Sequence, residues 1–405
     1  GYFKFGAQAA GDCDESVVQR LVTSVPTEFN DMVIDIYDND CHGSDDAVFE
    51  FDQYHSKLLV HGNLQIDDGK IYWGLIDLEG DLNLSCADGA DVYGECLSLN
   101  NTLRVRMMNS SIKQYYHGSG PSPSLIIDNP NGVAPGGGVT NYRVASPFIE
   151  QGEFLAPTGV LTLGRQSLER GTWSAGVSRS DFRIYGGSFN HNNAKVLLQP
   201  YHSDCDDYRS SGSGYYSSYT GSIEFNDLEI DITNGLENDI CNNEDDIRVE
   251  ILSATEFNVA GDLVMKDGRL LGGQINVAGD LSFECADGSD AQGSCVGEGT
   301  TIFQMNGSSK QNLSVQAGAI VPGAKLILNN PSSVDLTGAV NLLGSGQDLE
   351  VLQGTVNLAG DLTIPDDLRL ESGSELVSYC NAITYNSLSG ESATSAADGL
   401  NPIQR

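Results

Sequence analysis

Two pairs of cysteines close loops of the same plan. Cys86 and Cys96 bracket Ala-Asp-Gly-Ala-Asp-Val-Tyr-Gly-Glu, and Cys285 and Cys295 bracket Ala-Asp-Gly-Ser-Asp-Ala-Gln-Gly-Ser. No C-x-x-C spacing of the zinc or thioredoxin kind occurs, so the expected chemistry is disulfide formation in an oxidising, extracytoplasmic compartment. On the chain-entropy account, a bridge across so short a loop stabilises by about 2–3 kcal/mol. Cys13 and Cys41 flank the phrase Glu28-Phe-Asn-Asp, and Cys205 and Cys241 flank its copy, Glu224-Phe-Asn-Asp. Cys13–Cys41 and Cys205–Cys241 are therefore the natural further bridges. Cys380 is left over, either as a lone thiol or as a bond to a neighbouring chain.

The same loops hold Asp88 and Asp91, matched by Asp287 and Asp290. Carboxylates in glycine-containing turns supply the hard oxygen ligands that calcium takes, although the D-x-[DN]-x-[DN]-G order is absent and a solvated acidic turn is the plainer alternative. Fifty-six acidic residues against 21 basic ones give a net charge of −35. Such a chain repels nucleic acid and anionic lipid and attracts cations, and the same imbalance favours solubility in salty surroundings. No apolar run reaches the roughly 18 residues of a membrane-spanning helix. The chain opens on Gly1 with no charged and then apolar stretch, as expected where a targeting segment has been removed.

Catalytic signatures are missing. There is no G-x-S-x-G, no H-E-x-x-H, no phosphate-cradling loop and no G-x-G-x-x-G, and the six histidines form no pattern. The enzyme alternative is a polysaccharide lyase or hydrolase that gathers carboxylates and an Arg or Lys on one face of a solenoid. The tyrosine-rich stretch at 210–221 reads as a connector, or as a platform whose rings stack on sugars.

The elements that must position these residues come from repetition. Besides the Glu28 phrase, Leu78-Glu-Gly-Asp-Leu-Asn-Leu-Ser-Cys86 returns as Val277-Ala-Gly-Asp-Leu-Ser-Phe-Glu-Cys285, and Leu125-Ile-Ile-Asp-Asn-Pro130 as Leu326-Ile-Leu-Asn-Asn-Pro331. Within each copy a shorter phrase recurs, alternating apolar residues around a glycine: at Gly62 and Gly80, at Gly261 and Gly279, and again at Gly338 and Gly360. Alternation gives a strand with one buried face, and glycine permits a bend between strands. A beat of about 20 residues without amphipathic helices fits one turn of a coil rising about 4.8 Å, which over roughly 18–20 turns makes a rod. An array of β-sandwiches is the rival, but sandwich strands would not be self-similar at this period.

The expected fold is therefore all-β, a right-handed parallel β-helix (β-solenoid) built from two tandem ~195-residue repeats. Residues 1–195 would form the first repeat, 196–379 the second, and 380–405 a partial third with a polar tail. Open solenoid ends invite stacking, so copies of the chain itself are expected partners.

The run Thr301-Ile-Phe303, Asn306-Gly307, Gln311, Leu326-Ile-Leu-Asn-Asn-Pro331 and Val334-Asp-Leu336 resembles the repeats of bacterial cell-surface parallel β-helix proteins, in which T-x-x-F-x-G-x-x-x-Q is followed by L-x-I-x-N and V-x-L. The likeness covers residues 295–370 well and 97–135 less well. It implies a secreted or surface-displayed adhesin, matrix protein or fibre with no catalytic residues to transfer. The expectation is a non-enzymatic extracellular structural protein, a filament subunit stacked head to tail, with a glycan-binding adhesin as the alternative.

Overall fold

Alternating phrases become strands because each buries every second side chain. In Arg104–Met107, Val105 and Met107 are buried while Arg104 is exposed and Arg106 half-buried. The computed structural model describes residues 2–6, 18–21, 27–35, 48–51, 57–68, 70–72, 74–85, 103–118, 121–164, 179–199, 213–218, 221–231, 248–252, 254–266, 269–284, 299–321, 323–342 and 348–390. Among the described residues every element is a strand and none is a helix. The strands pair in parallel, one coil against the next. The chain divides into two units, Gly1–Ala194 and Lys195–Arg405.

In the first unit a row of strands runs Thr27–Phe29, Lys57–Val60, Leu75–Leu78, Arg104–Met107, Ser124–Asp128, Pro147–Gln151 and Arg179–Ile184. A second row starts at Tyr2–Gly6 and Asp31–Asp35 and ends at Ser188–Asn190. Shorter third rows hold Val18–Leu21, Val48–Phe51 and Lys70–Tyr72, and later Pro121–Ser122, Tyr142–Val144 and Val160–Leu163.

The second unit has the same kind of rows. One includes Ser222–Phe225, Glu256–Val259, Gln274–Val277 and Ile302–Met305; another includes Asp227–Ile230, Leu263–Met265, Leu281–Phe283 and Gln311–Val315. Both rows then run through the long strands Lys325–Thr337 and Asp348–Leu358, whose register shifts around Asn329 and Ser333 mark the corner inside one continuous element. Each unit is consistent with a β-solenoid. Coil length is not uniform: neighbours on adjacent coils lie 18 residues apart at His61 and Glu79 but 34 apart at Glu224 and Asn258.

The core is a set of columns, each made of one inward residue per coil. Phe257, Ile275, Phe303, Leu326, Leu349 and Leu368 succeed one another through the second unit, all buried. In the first unit Val60, Leu78, Met107 and Ile127 do the same. Tyr116 enters such a core with its ring 4.2 Å from that of Tyr142, and its hydroxyl donates to the Leu155 carbonyl at 2.9 Å.

Between two rows the chain turns a corner, and there the glycine phrase finds its reason. A side chain at Gly80 would fall on the carbonyl of Gly62, one at Gly279 on the carbonyl of Gly261, and one at Gly360 on that of Gly338. An Asp or Asn at the corner, after the glycine in most coils and after Asn30 and Asn226 in the others, then reaches one coil along the stack. Asp31 Oδ1 accepts from the Asn63 amide at 3.0 Å, Asn63 Oδ1 from Asp81 at 2.9 Å, and Asp81 Oδ1 from Tyr115 at 2.8 Å. In the second unit Asp227, Asp262 and Asp280 accept in the same way from Asp262, Asp280 and Asn312 at 3.0, 2.8 and 2.8 Å.

A second device is fully internal. Gln114 Nε2 donates to the carbonyls of Leu78 (2.9 Å) and Gly80 (2.6 Å), and its Oε1 accepts from Asn129 Nδ2 at 3.0 Å. Gln311 Nε2 donates to Val277 (3.0 Å) and Gly279, while its Oε1 accepts from Gly307 N (3.0 Å) and Asn330 Nδ2 (2.8 Å). All four side chains are at most 1% exposed. These amides reach the corner carbonyls of Gly80 and Gly279 and add a second bond to those of Leu78 and Val277, which already accept from Met108 and Asn306, and this is why polar residues sit in an apolar interior.

Two outcomes test these devices by thermal or urea unfolding. Gly279→Ala, which overpacks a corner, should cost about 1–3 kcal/mol, whereas Gly137→Ala, with nothing within 4 Å of the added carbon, should leave stability within about 0.5 kcal/mol. Gln311→Leu strands several buried polar groups and should cost about 3 kcal/mol or more.

Candidate functional site

The outward side of the first row in the first unit gathers the chemistry. Parallel register sets Leu59 beside Asp77, Asp77 beside Arg106, Arg106 beside Ile126, Ile126 beside Phe148 and Phe148 beside Arg183. Each lies between inward neighbours that pack the core, such as Ile76 and Leu78 around Asp77 and Phe182 and Ile184 around Arg183, so alternation turns it outward.

Asp77 is only 2% exposed. Arg106 places Nη1 3.8 Å from Asp77 Oδ1 and Nε 4.0 Å from Asp128 Oδ2, ion-pair distances too long for hydrogen bonds, and its shielded Nε has no hydrogen-bond partner. Arg104 and Arg183 both lie over the ring of Phe148, their guanidinium carbons 5.9 and 6.0 Å from its centroid. Arg183 also binds Asp181 at 2.7 Å. Burial works against the Arg183 charge, but a hydrogen bond with Tyr185 and the Asp181 carboxylate outweigh it and raise its pKa. The arrangement is an aromatic ring gripped by two cations, with further carboxylates and a third arginine alongside. It can bind an anion or a flat ring, and nothing in it singles out a nucleophile.

The matching row of the second unit carries different groups. Asn276 stands beside Gln304, Gln304 beside Ile327, Ile327 beside Glu350 and Glu350 beside Arg369. Asn276 Nδ2 donates to Asn258 Oδ1 and Asn258 Nδ2 to Glu224 Oε1, both at 2.8 Å, so this side is an amide ladder. Further along, Glu350 pairs with Lys325 at 2.8 Å and with Arg369 at 3.6 Å. On the neighbouring row, burial opposes ionisation of Glu229, but Lys195 and Lys266 bond to it and its pKa ends lowered.

The expected metal ligands Asp88, Asp91, Asp287 and Asp290 lie outside the described residues, as do Cys13, Cys41, Cys86, Cys96, Cys205, Cys241, Cys285 and Cys295. Cys380 is described, and it is an exposed free thiol. Another acidic group does converge: Asp348, Asp366 and Asp367 bring one carboxylate oxygen each within 4.8 Å of the others. Their oxygens suit a hard cation, but Lys325 Nζ, 3.8 Å from Asp348, competes for the charge, and Ser387 already bonds Asp367. Sequence reading missed this group because Asp348 and Asp367 meet only through coil register, 19 residues apart. Asn109 is committed as well, its Nδ2 donating to the Glu79 carbonyl at 2.6 Å.

On the same outward side His61 sits between coils, 2.8 Å from Glu79 and 3.5 Å from Glu28. Its bond to Glu79, then that to Glu28, raises its pKa above 6.5. A raised folded-state value stabilises below the unfolded pKa and is lost as pH rises through the folded one. His61→Gln should therefore lower the melting temperature at about pH 5.5 by more than at about pH 8.5, measured against the parent protein at each pH.

The chain matches no family model, no curated protein and no solved structure.

Proposed function

We propose that this chain is a non-enzymatic extracellular structural protein: a right-handed parallel β-helix of two tandem repeats that serves as the subunit of a surface filament or matrix fibre. The observation that carries the reading is the use each unit makes of its recurrent residues. Gly80 and Gly279 allow close approach at a corner, Asp81 and Asp280 bond the next coil, and Gln114 and Gln311 satisfy internal carbonyls. What recurs is a frame, as duplication of a scaffold would leave it, and the residues that carried the resemblance to surface β-helix proteins, Gln311 and Asn330 among them, belong to that frame.

The end of the second unit supports assembly. Strand Ser387–Ser389 pairs on one side with Asp367–Leu370 and has no partner on its other side among the described residues, and Leu388, which continues an inward column beyond Leu368, is 40% exposed. An unpaired edge over an apolar column is a template for another strand. Exposed Cys380 stands close to this end in sequence and would lock such a joint covalently.

Negative-stain electron microscopy of the purified native chain, with and without reductant, tests the proposal. Filaments with a regular axial repeat are expected, with Cys380→Ser polymers dissociating more readily on dilution. Particles that stay dispersed and monomeric across the accessible concentration range would sink it.

A further inference from the structure

We propose that the outward row of the first unit, centred on Arg104, Phe148 and Arg183, binds an anionic polysaccharide whose sugar rings carry carboxylate or sulfate groups. This goes beyond the scaffold reading and stands whether or not the chain polymerises.

Charge distribution is the first argument. In a chain of net charge −35 with only 21 basic residues, three arginines share one side of one row, on strands Arg104–Met107 and Arg179–Ile184. Like charges repel, yet Arg104 and Arg183 approach one ring from strands on either side of it, each about 6 Å from its centroid, at 5.9 and 6.0 Å. The negative face of an aromatic ring holds a guanidinium at such a distance. Asp77 and Asp128 offset Arg106 and Asp181 offsets Arg183, so Arg104 is the guanidinium at this ring that no carboxylate among the described residues pairs.

Unused donor capacity is the second. Arg104 is exposed and forms no ion pair among the described residues. A guanidinium fork matches a carboxylate or sulfate with two parallel hydrogen bonds, and Arg104 presents its fork to solvent.

The third comes from the second unit. It has the same row, the same inward columns and the same corners, yet its register positions hold Ile302, Gln304 and Glu350 where the first unit has Arg104, Arg106 and Phe148. Coil stacking therefore requires neither Arg104 and Arg106 nor the ring, although the position of Arg183 is again an arginine, Arg369.

Geometry favours a polymer of sugars over a single anion. Successive strands along the row are about 4.8 Å apart, close to the length of one pyranose residue, so the three steps from the strand of Arg104 to that of Arg183 span about 14 Å. A chain lying along the stack would present one ring per strand, with its acidic groups toward the arginines that Phe148 holds in place. Tyr185, 40% exposed just past the end of the strand that carries Arg183, adds a second aromatic ring.

The test is affinity electrophoresis and calorimetry of the intact chain with polygalacturonate and chondroitin sulfate as probes, neutral dextran as control and polyglutamate as a non-sugar polyanion. Binding to one or both acidic polysaccharides is expected, weakening as salt rises from about 50 to about 500 mM, with none to dextran. Arg104→Gln alone should weaken it, and the Arg104→Gln/Arg183→Gln pair should do so by roughly tenfold or more, while Arg369→Gln in the second unit leaves it unchanged. Melting curves confirm that each variant is folded. Failure of the parent chain to bind either polysaccharide, undiminished binding by folded Arg104→Gln, or equal binding of polyglutamate would overturn the assignment.

Discussion

A parallel coil must bring its backbone back beside itself at every corner, and in each unit that return is the constraint on which the rest depends. Where the strand ladder breaks off, amides and carbonyls would be left without partners from the neighbouring coil. Asp31, Asn63 and Asp81 in the first unit, and Asp227, Asp262 and Asp280 in the second, take up the amides of the following coil. Gln114 and Gln311 take up carbonyls from the inside. Both depend on backbones too close for a Cβ, so the glycine is a steric requirement before it is a conformational one.

Because each coil touches only its neighbours, stability is a sum of coil and interface contributions along the stack. A defect at one corner is felt by the two coils that meet there. The apolar columns add the larger share, since each buried Leu, Ile, Val or Phe removed from water contributes about 1.5–3 kcal/mol. The corners instead fix register: a one-residue slip would turn every inward side chain outward.

The frame leaves the outward positions free to differ. In one unit they hold Asp77, Arg106, Phe148 and Arg183; in the other, at like positions, Asn276, Gln304, Glu350 and Arg369. One row has become a surface of arginines, carboxylates and an aromatic ring, the other an amide ladder that leads into a mixed-charge cluster. Scaffold and recognition are thus carried by alternate residues of the same strands, and changing one need not disturb the other.

The sequence by itself determined the class of fold. Alternation around Gly62, Gly80, Gly261 and Gly279 encodes strands joined by tight corners, and the 18-residue spacing of two such phrases is the length of a short coil. It also marked Gln311 and Asn330 as motif residues, although not that their amides are buried and bonded to each other at 2.8 Å. Which outward residues meet was decided only by the tertiary structure. The insertions between strands vary, so neighbours on adjacent coils can be 18 or 34 residues apart, and no fixed period could place Arg104 and Arg183 over Phe148 or Asp348 beside Asp367. Local pattern fixes which way a side chain points; hydrogen-bonded register between coils, set by loops of unequal length, fixes what it points beside.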